Sequence, residues 1–154
     1  MLKDLCFAAG LVVVTVGLHS AGFALLIRGM LRWHALARAG FWAVTCMVIA
    51  LTISLLLIHL GEIVLWGLFY YWQGCLQDLS SSVYFSGGAY TTAGFSGLIL
   101  PQRWQTFVML ETMTGILMCG LSTGFFFGVV MQWIDHFRQR RDPREPRSSP
   151  PTST

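Results

Sequence analysis

The sequence predicts an all-α membrane protein: three transmembrane helices, with a short re-entrant helix and loop between the second and the third. Three observations carry this reading. Of 154 residues, 55% are hydrophobic and only 11% charged, against about 25% charged in an average soluble domain. Three apolar runs each exceed the roughly 20 residues that a helix needs to cross the hydrocarbon core. Between the second and third runs lies Tyr84 to Pro101, which is uncharged and rich in Gly, Ser and Thr. Irregular backbone of that kind stands at membrane depth only where protein buries it or it lines a water-filled cavity.

The first run extends from Leu5 to Ile27. A signal peptide is the competing reading, but the run exceeds the usual apolar region of about 7–15 residues. Its start also carries Lys3 and Asp4 rather than a basic cluster. His19 falls inside this run with no ligand-type residue near it in sequence, and reads as a core or interfacial histidine. Arg28, Arg32, His34 and Arg38 follow, with Trp33 among them, a basic loop of the kind retained in the cytoplasm.

The second run, Phe41 to about Trp72, is longer than a minimal span and must tilt or project. Trp66, Phe69, Tyr70, Tyr71 and Trp72 at its far end form an interfacial aromatic belt. His59 and Glu62 stand three positions apart on one helix face. Ionisable residues within a span normally face the bundle interior, so the pair is expected to be a structural polar anchor for the loop that follows. His-x-x-Glu alone is a weak metal pattern, and no resident metal is expected. Cys6, Cys46, Cys75 and Cys119 are widely separated, which gives neither a disulfide framework nor a zinc pattern.

Gln73 to Asp78 reads as a polar turn. Asp78, or one of Ser80 to Ser82, suits the N-cap of a short helix ending near Tyr90. Such a helix is too short to span, and Pro101 resists helix from the residue before it. The third span begins near Trp104 and runs to Trp133. It carries Glu111, expected to support the neighbouring loop by a hydrogen bond, and Gly115, Gly120, Gly124 and Gly128. The last three are four apart on one face, where they permit close backbone approach; packing within one chain, a subunit interface and a pore-lining hinge all remain open. From Arg138 the chain is basic and then rich in Pro and Ser, a composition expected to be disordered. The basic residues are expected to touch anionic lipid rather than nucleic acid.

Topology joins these elements. Both basic regions favour the cytoplasm, so the segment between the second and third spans begins and ends on the outer face, with the N-terminus outside. A short helix entering from outside turns its partially negative C-terminal end inward, where it favours a cation. Extended backbone climbing back out can offer a ring of carbonyl oxygens in place of water. One chain cannot close such a ring, so cyclic assembly is implied. The expected divisions are 1–40, a leading helix and basic loop; 41–137, a pore domain of outer helix, pore helix, filter and inner helix; and 138–154, a cytoplasmic tail.

Over roughly Leu60 to Val130 the sequence resembles the pore domain of the potassium-channel superfamily, in its small bacterial two-helix form with one extra N-terminal helix. Tyr84-Phe85-Ser86 resembles the pore-helix Tyr-Phe-Ser of that family. Thr91-Thr92-Ala93-Gly94-Phe95-Ser96-Gly97 lies on its signature Thr-Thr-Val-Gly-Tyr-Gly-Asp. Trp104 and the stretch Glu111 to Gly115 fall where its inner helix starts, and Leu98 to Pro101 is similar to its filter exit. The resemblance implies that Thr92, Ala93, Gly94 and Phe95 hold the permeant cation, with Thr91, Ser96 and Gly97 completing the filter, and that Gly115 or Gly120 is a hinge. The sequence departs from the signature at Ala93, Phe95, Ser96 and Gly97. A serine forced to φ > 0 costs about 1–2 kcal/mol, so weakened selectivity is expected.

The function expected from this reading is a passive cation channel, a homotetramer in the bilayer with a degenerate filter. It would pass potassium or another monovalent cation and use no cofactor. The alternative is a non-conducting pore-fold subunit of a membrane complex. The expected location is a bacterial-type inner (plasma) membrane, multi-pass, with the C-terminus cytoplasmic. No nucleophile triad or phosphate-binding loop is present in the sequence, so neither an enzyme, a small-molecule substrate nor a nucleic-acid partner is expected.

Overall fold

A computed structural model of the chain describes residues 2–36, 41–94 and 97–141. The chain is an all-α bundle of α1 (Leu2–Leu36), α2 (Phe41–Trp72), α3 (Leu79–Tyr90) and α4 (Gln102–Arg141). Three of these helices, α1, α2 and α4, are long and apolar enough to cross a membrane. At 1.5 Å per residue the 35 residues of α1 extend about 50 Å, well beyond the roughly 30 Å of hydrocarbon.

Two boundaries differ from the sequence expectation. Helix α1 continues to Leu36, so Arg28, Arg32 and His34 are helical rather than in a loop; Arg38 lies outside the described residues. Helix α4 continues to Arg141, because Gln and Arg are good helix formers and charge alone does not end a helix. Only 142–154 of the expected tail remains beyond it, outside the described residues, as do Phe95 and Ser96.

Each long helix buries one stripe at helical spacing. On α1 it holds Ala8, Thr15 and His19; on α2, Met47, Leu51, Leu55, Glu62, Trp66 and Phe69; on α4, Phe107, Glu111, Thr114, Met118, Ser122, Val129 and Trp133. Contacts fix the directions. Thr15 accepts from Trp66 Nε1 at 3.1 Å, Phe7 meets Phe69, and Phe23, Leu26 and Met30 pack on the Met47–Leu51–Leu55 cluster, so α1 runs antiparallel to α2. Phe107 stacks on Phe69 at 5.2 Å while Val129 and Trp133 join that same cluster, so α4 is also antiparallel to α2.

Two apolar cores therefore occupy the two ends of the bundle. One joins Ala8, Trp66, Phe69, Tyr70, Phe85, Leu100 and Phe107; the other joins Met47, Leu51, Leu55, Val129 and Trp133. The outside is apolar as well: Leu56, Leu57 and Leu117 are 66%, 60% and 65% exposed midway along their helices. Water does not tolerate such a continuous apolar exterior, and the chain has the character of a multi-pass membrane protein.

Helix α3 opens on an Asp78 N-cap. Its Oδ1 accepts from Ser81 N at 2.7 Å and its Oδ2 from Ser81 Oγ at 2.8 Å, which satisfies donors that a helix start leaves open. These bonds hold the carboxyl below its usual range, so the stabilisation stands at neutral pH and is lost as pH falls through that depressed value. From the cap α3 folds back along α2. Its Val83 lies against Gly67, its Ser86 bonds Ile63 O at 2.9 Å, and its Tyr90 reaches Glu62. The approach is closest at Gly67, where a Cβ would come within 2.8 Å of Val83 Cα and 3.1 Å of Val83 N. Those are backbone atoms and cannot swing aside. Gly67→Ala is expected to lower stability by about 1–3 kcal/mol, the range for overpacking, read as an earlier denaturation midpoint in detergent.

Candidate functional site

The residues that α3 delivers begin at its C-cap. A helix leaves its last carbonyls open, and here nearby donors take them up. Thr91 N and Thr91 Oγ1 bond Gly87 O, at 3.1 and 2.6 Å; Gly94 N bonds Gly88 O at 3.1 Å. Thr92 N, at 3.1 Å, and Thr112 Oγ1 of α4, at 3.0 Å, share Ala89 O. The carbonyl of Tyr90 meets Gly115 of α4 so closely that a Cβ there would overlap it.

Beyond the cap the backbone changes hand repeatedly. Thr92 has φ 62°, Gly94 φ 62° and Gly97 φ 63°. Thr91 before them has φ −83°, and Ala93 is not among the left-handed residues. A threonine in the left-handed region is uncommon, and such strain persists only where surroundings enforce it. Thr91 to Gly94 and Gly97 are exposed on the single chain.

Two buried polar clusters hold α3 from behind. In the first, Glu111 of α4 accepts from Tyr70 Oη of α2 at 2.7 Å and from Ser86 Oγ of α3 at 2.5 Å. Glu111 and Ser86 are fully buried, as is Tyr70. The second is a closed ring. His19 Nδ1 lies 2.7 Å from Glu62 Oε1, and Tyr90 Oη donates to Glu62 Oε2. His59 Nδ1 stands 3.0 Å from Tyr90 Oη and its Nε2 3.0 Å from Ser122 Oγ. Ser122 Oγ closes the circuit at 3.3 Å from His19 Nε2. Five side chains from α1, α2, α3 and α4 thus meet between the two apolar cores, where unpaired polar groups are costly.

The structure accordingly brings His59, Glu62 and Glu111 behind the end of α3. His19 is a buried core histidine, as expected, and its partner lies 43 positions away in sequence, on α2. The sequence names Tyr70 only within an aromatic belt, Ser86 only within the Tyr-Phe-Ser resemblance and Tyr90 only as a helix end, and it does not single out Ser122. A signal for His19 exists in the sequence, since it follows Ala8 and Thr15 on one face of an apolar helix, and a small or polar stripe marks a packed side in a membrane. The glycines divide. Gly115 is tight against α3, whereas a Cβ at Gly120, Gly124 or Gly128 meets nothing within 4 Å.

His19, His59 and Glu62 present ligand-type atoms within 4.8 Å of one another. Two ligands on one tetrahedral zinc, each about 2.0–2.1 Å from it, stand about 3.3 Å apart. The His19–Glu62 separation of 2.7 Å is shorter, the distance of a charge-assisted hydrogen bond. The same three residues offer ligand atoms that could hold a metal ion. Comparison of the chain with protein-family models, curated proteins and solved structures finds no match.

Proposed function

We propose that this chain is the protomer of a passive cation channel of potassium-channel type, assembled as a homotetramer with Thr91 to Gly97 of each chain around the axis. One observation carries the reading. Helix α3 starts beside the end of α2 and runs back along it until Tyr90 meets Glu62, ten residues or about 15 Å below Trp72. If Trp72 marks the interface, that descent would set an uncharged segment about half-way into a hydrocarbon core of roughly 30 Å. The negative end of the α3 dipole points the same way and favours a cation. The carbonyls of Thr92 to Gly94 are the groups that would replace water around it, and Thr91 to Gly97 resembles the potassium-channel filter signature, with departures at Ala93, Phe95, Ser96 and Gly97. The orientation proposed is N-terminus outside and C-terminus cytoplasmic, with the Arg28 and Arg138 ends together on the inner face.

The test is flux from liposomes containing the purified chain. Potassium or sodium efflux above that of empty vesicles is expected; none would exclude the channel. A second reading, a non-conducting subunit, is favoured by Gly97. It holds the left-handed backbone at φ 63° one position beyond the second glycine of the family signature, where this chain has Ser96. Under that reading the native chain is silent, and Ser96→Gly with Gly97→Asp creates potassium flux.

A further inference from the structure

The ring of His19, Glu62, Tyr90, His59 and Ser122 can be examined by counting protons. It contains five side-chain contacts, from 2.7 to 3.3 Å where not shorter, and each needs one hydrogen between its two heavy atoms. Tyr90 and Ser122 supply one hydroxyl proton each, and a neutral imidazole supplies one. With Glu62 ionised and both histidines neutral the total is four. Whichever way the donors are turned around the circuit, one contact is left with two lone pairs facing each other. The shortest contact involving an imidazole, His19 Nδ1 to Glu62 Oε1, is where that conflict is most severe.

We infer that the ring is a buried binding site for one proton beyond the neutral-histidine count, held between His19 Nδ1 and Glu62 Oε1. The extra proton completes every hydrogen bond and brings the cluster to zero net charge, which low-dielectric surroundings require. No lysine or arginine pairs with Glu62 among the described residues. The other titratable groups facing the ring are Cys119 and Glu111 of α4, and neither hydrogen-bonds to it. When the proton leaves, an imidazole nitrogen and a carboxylate oxygen confront each other, and the bond joining α1 to α2 behind the foot of α3 opens. The site does not depend on the channel reading. If that reading holds, flux will change with pH in the parent chain and not in Glu62→Gln.

Glu62→Gln discriminates because an amide brings its own hydrogen. Its N–H can donate to His19 Nδ1 while its oxygen accepts from Tyr90, so five contacts are filled with both imidazoles neutral. The experiment uses 15N-histidine-labelled full chain in lipid nanodiscs, with His34→Gln and His136→Gln leaving only the two ring histidines. At about pH 8 the parent should show one imidazolium by 15N shift or a protonated carboxyl by infrared absorption. Both signals should be lost in Glu62→Gln. Two neutral imidazoles beside an ionised carboxylate in the parent would overturn the inference. So would one retained equivalent of Zn²⁺ per chain with release of the proton, which would make the cluster a metal site. Should Glu62→Gln not fold, the titration of the parent alone decides.

Discussion

Glu111→Leu is expected to loosen the hold of α4 on α3 and lower stability, whereas Glu111→Gln is expected to keep it. The Ser86 hydroxyl has one proton but two acceptors, Ile63 O at 2.9 Å and Glu111 Oε1 at 2.5 Å. Glu111 also accepts from Tyr70 at 2.7 Å. Three contacts therefore share two hydroxyl protons, and a proton supplied by the side chain at 111 would complete the third. Glutamine reproduces this pattern, with its N–H toward Ser86 and its oxygen toward Tyr70. Leucine leaves the buried Tyr70 hydroxyl without a partner, at a cost of about 1–3 kcal/mol, and frees Ser86 to bond Ile63 alone. Denaturation midpoints of the three proteins in one detergent check this. Equal midpoints for leucine and the parent would remove Glu111 from the account.

Gly115→Val is expected to be the most damaging single change on α4. A Cβ there overlaps the carbonyl of Tyr90, so backbone meets backbone and one helix must move. The loss is expected near the upper end of the roughly 1–3 kcal/mol for overpacking, and any flux should disappear with it, because the displaced residue directly precedes Thr91. Gly120→Val is the internal control. Its site is open on the single chain, so the protomer should keep its midpoint. A Gly120→Val chain that stays folded but fails to assemble would assign the Gly120–Gly124–Gly128 face to the subunit contact. Equal stability of Gly115→Val and the parent would contradict the close approach of α3 and α4.

Local signals made much of this architecture legible. The bounds of α2 follow from its apolar run and aromatic end. The start of α3 follows from Asp78, whose capping chemistry acts within three residues. What escaped was chemistry made by distant partners. Nothing beside His19 in sequence announces Glu62, because the two meet only when α1 packs antiparallel on α2. Tyr90 is legible in sequence as the end of α3, but not as a partner, because its hydroxyl reaches Glu62 and His59 of α2. The end of α4 was misread for the opposite reason: Arg138 to Arg141 suggested a solvated tail, yet arginine prolongs a helix readily. Beyond α3 the sequence locates the left-handed positions only in part. Gly94 and Gly97 are ordinary hosts for positive φ, but Thr92 at φ 62° is not, and its conformation follows from the cap bonds of Thr91, Thr92 and Gly94 to the end of α3.

The central claim is geometric: α3 descends to carry Thr92, Ala93 and Gly94 to a shared axis at membrane depth. The measurement that tests it most directly is a single-particle structure of the full chain in lipid nanodiscs with potassium present. The account predicts four chains around one axis, α3 inclined toward it, and the backbone of Thr92 to Gly94 lining the narrowest passage. A monomer or dimer, or an assembly with Thr92 to Gly94 turned away from the axis toward bulk water, would contradict it.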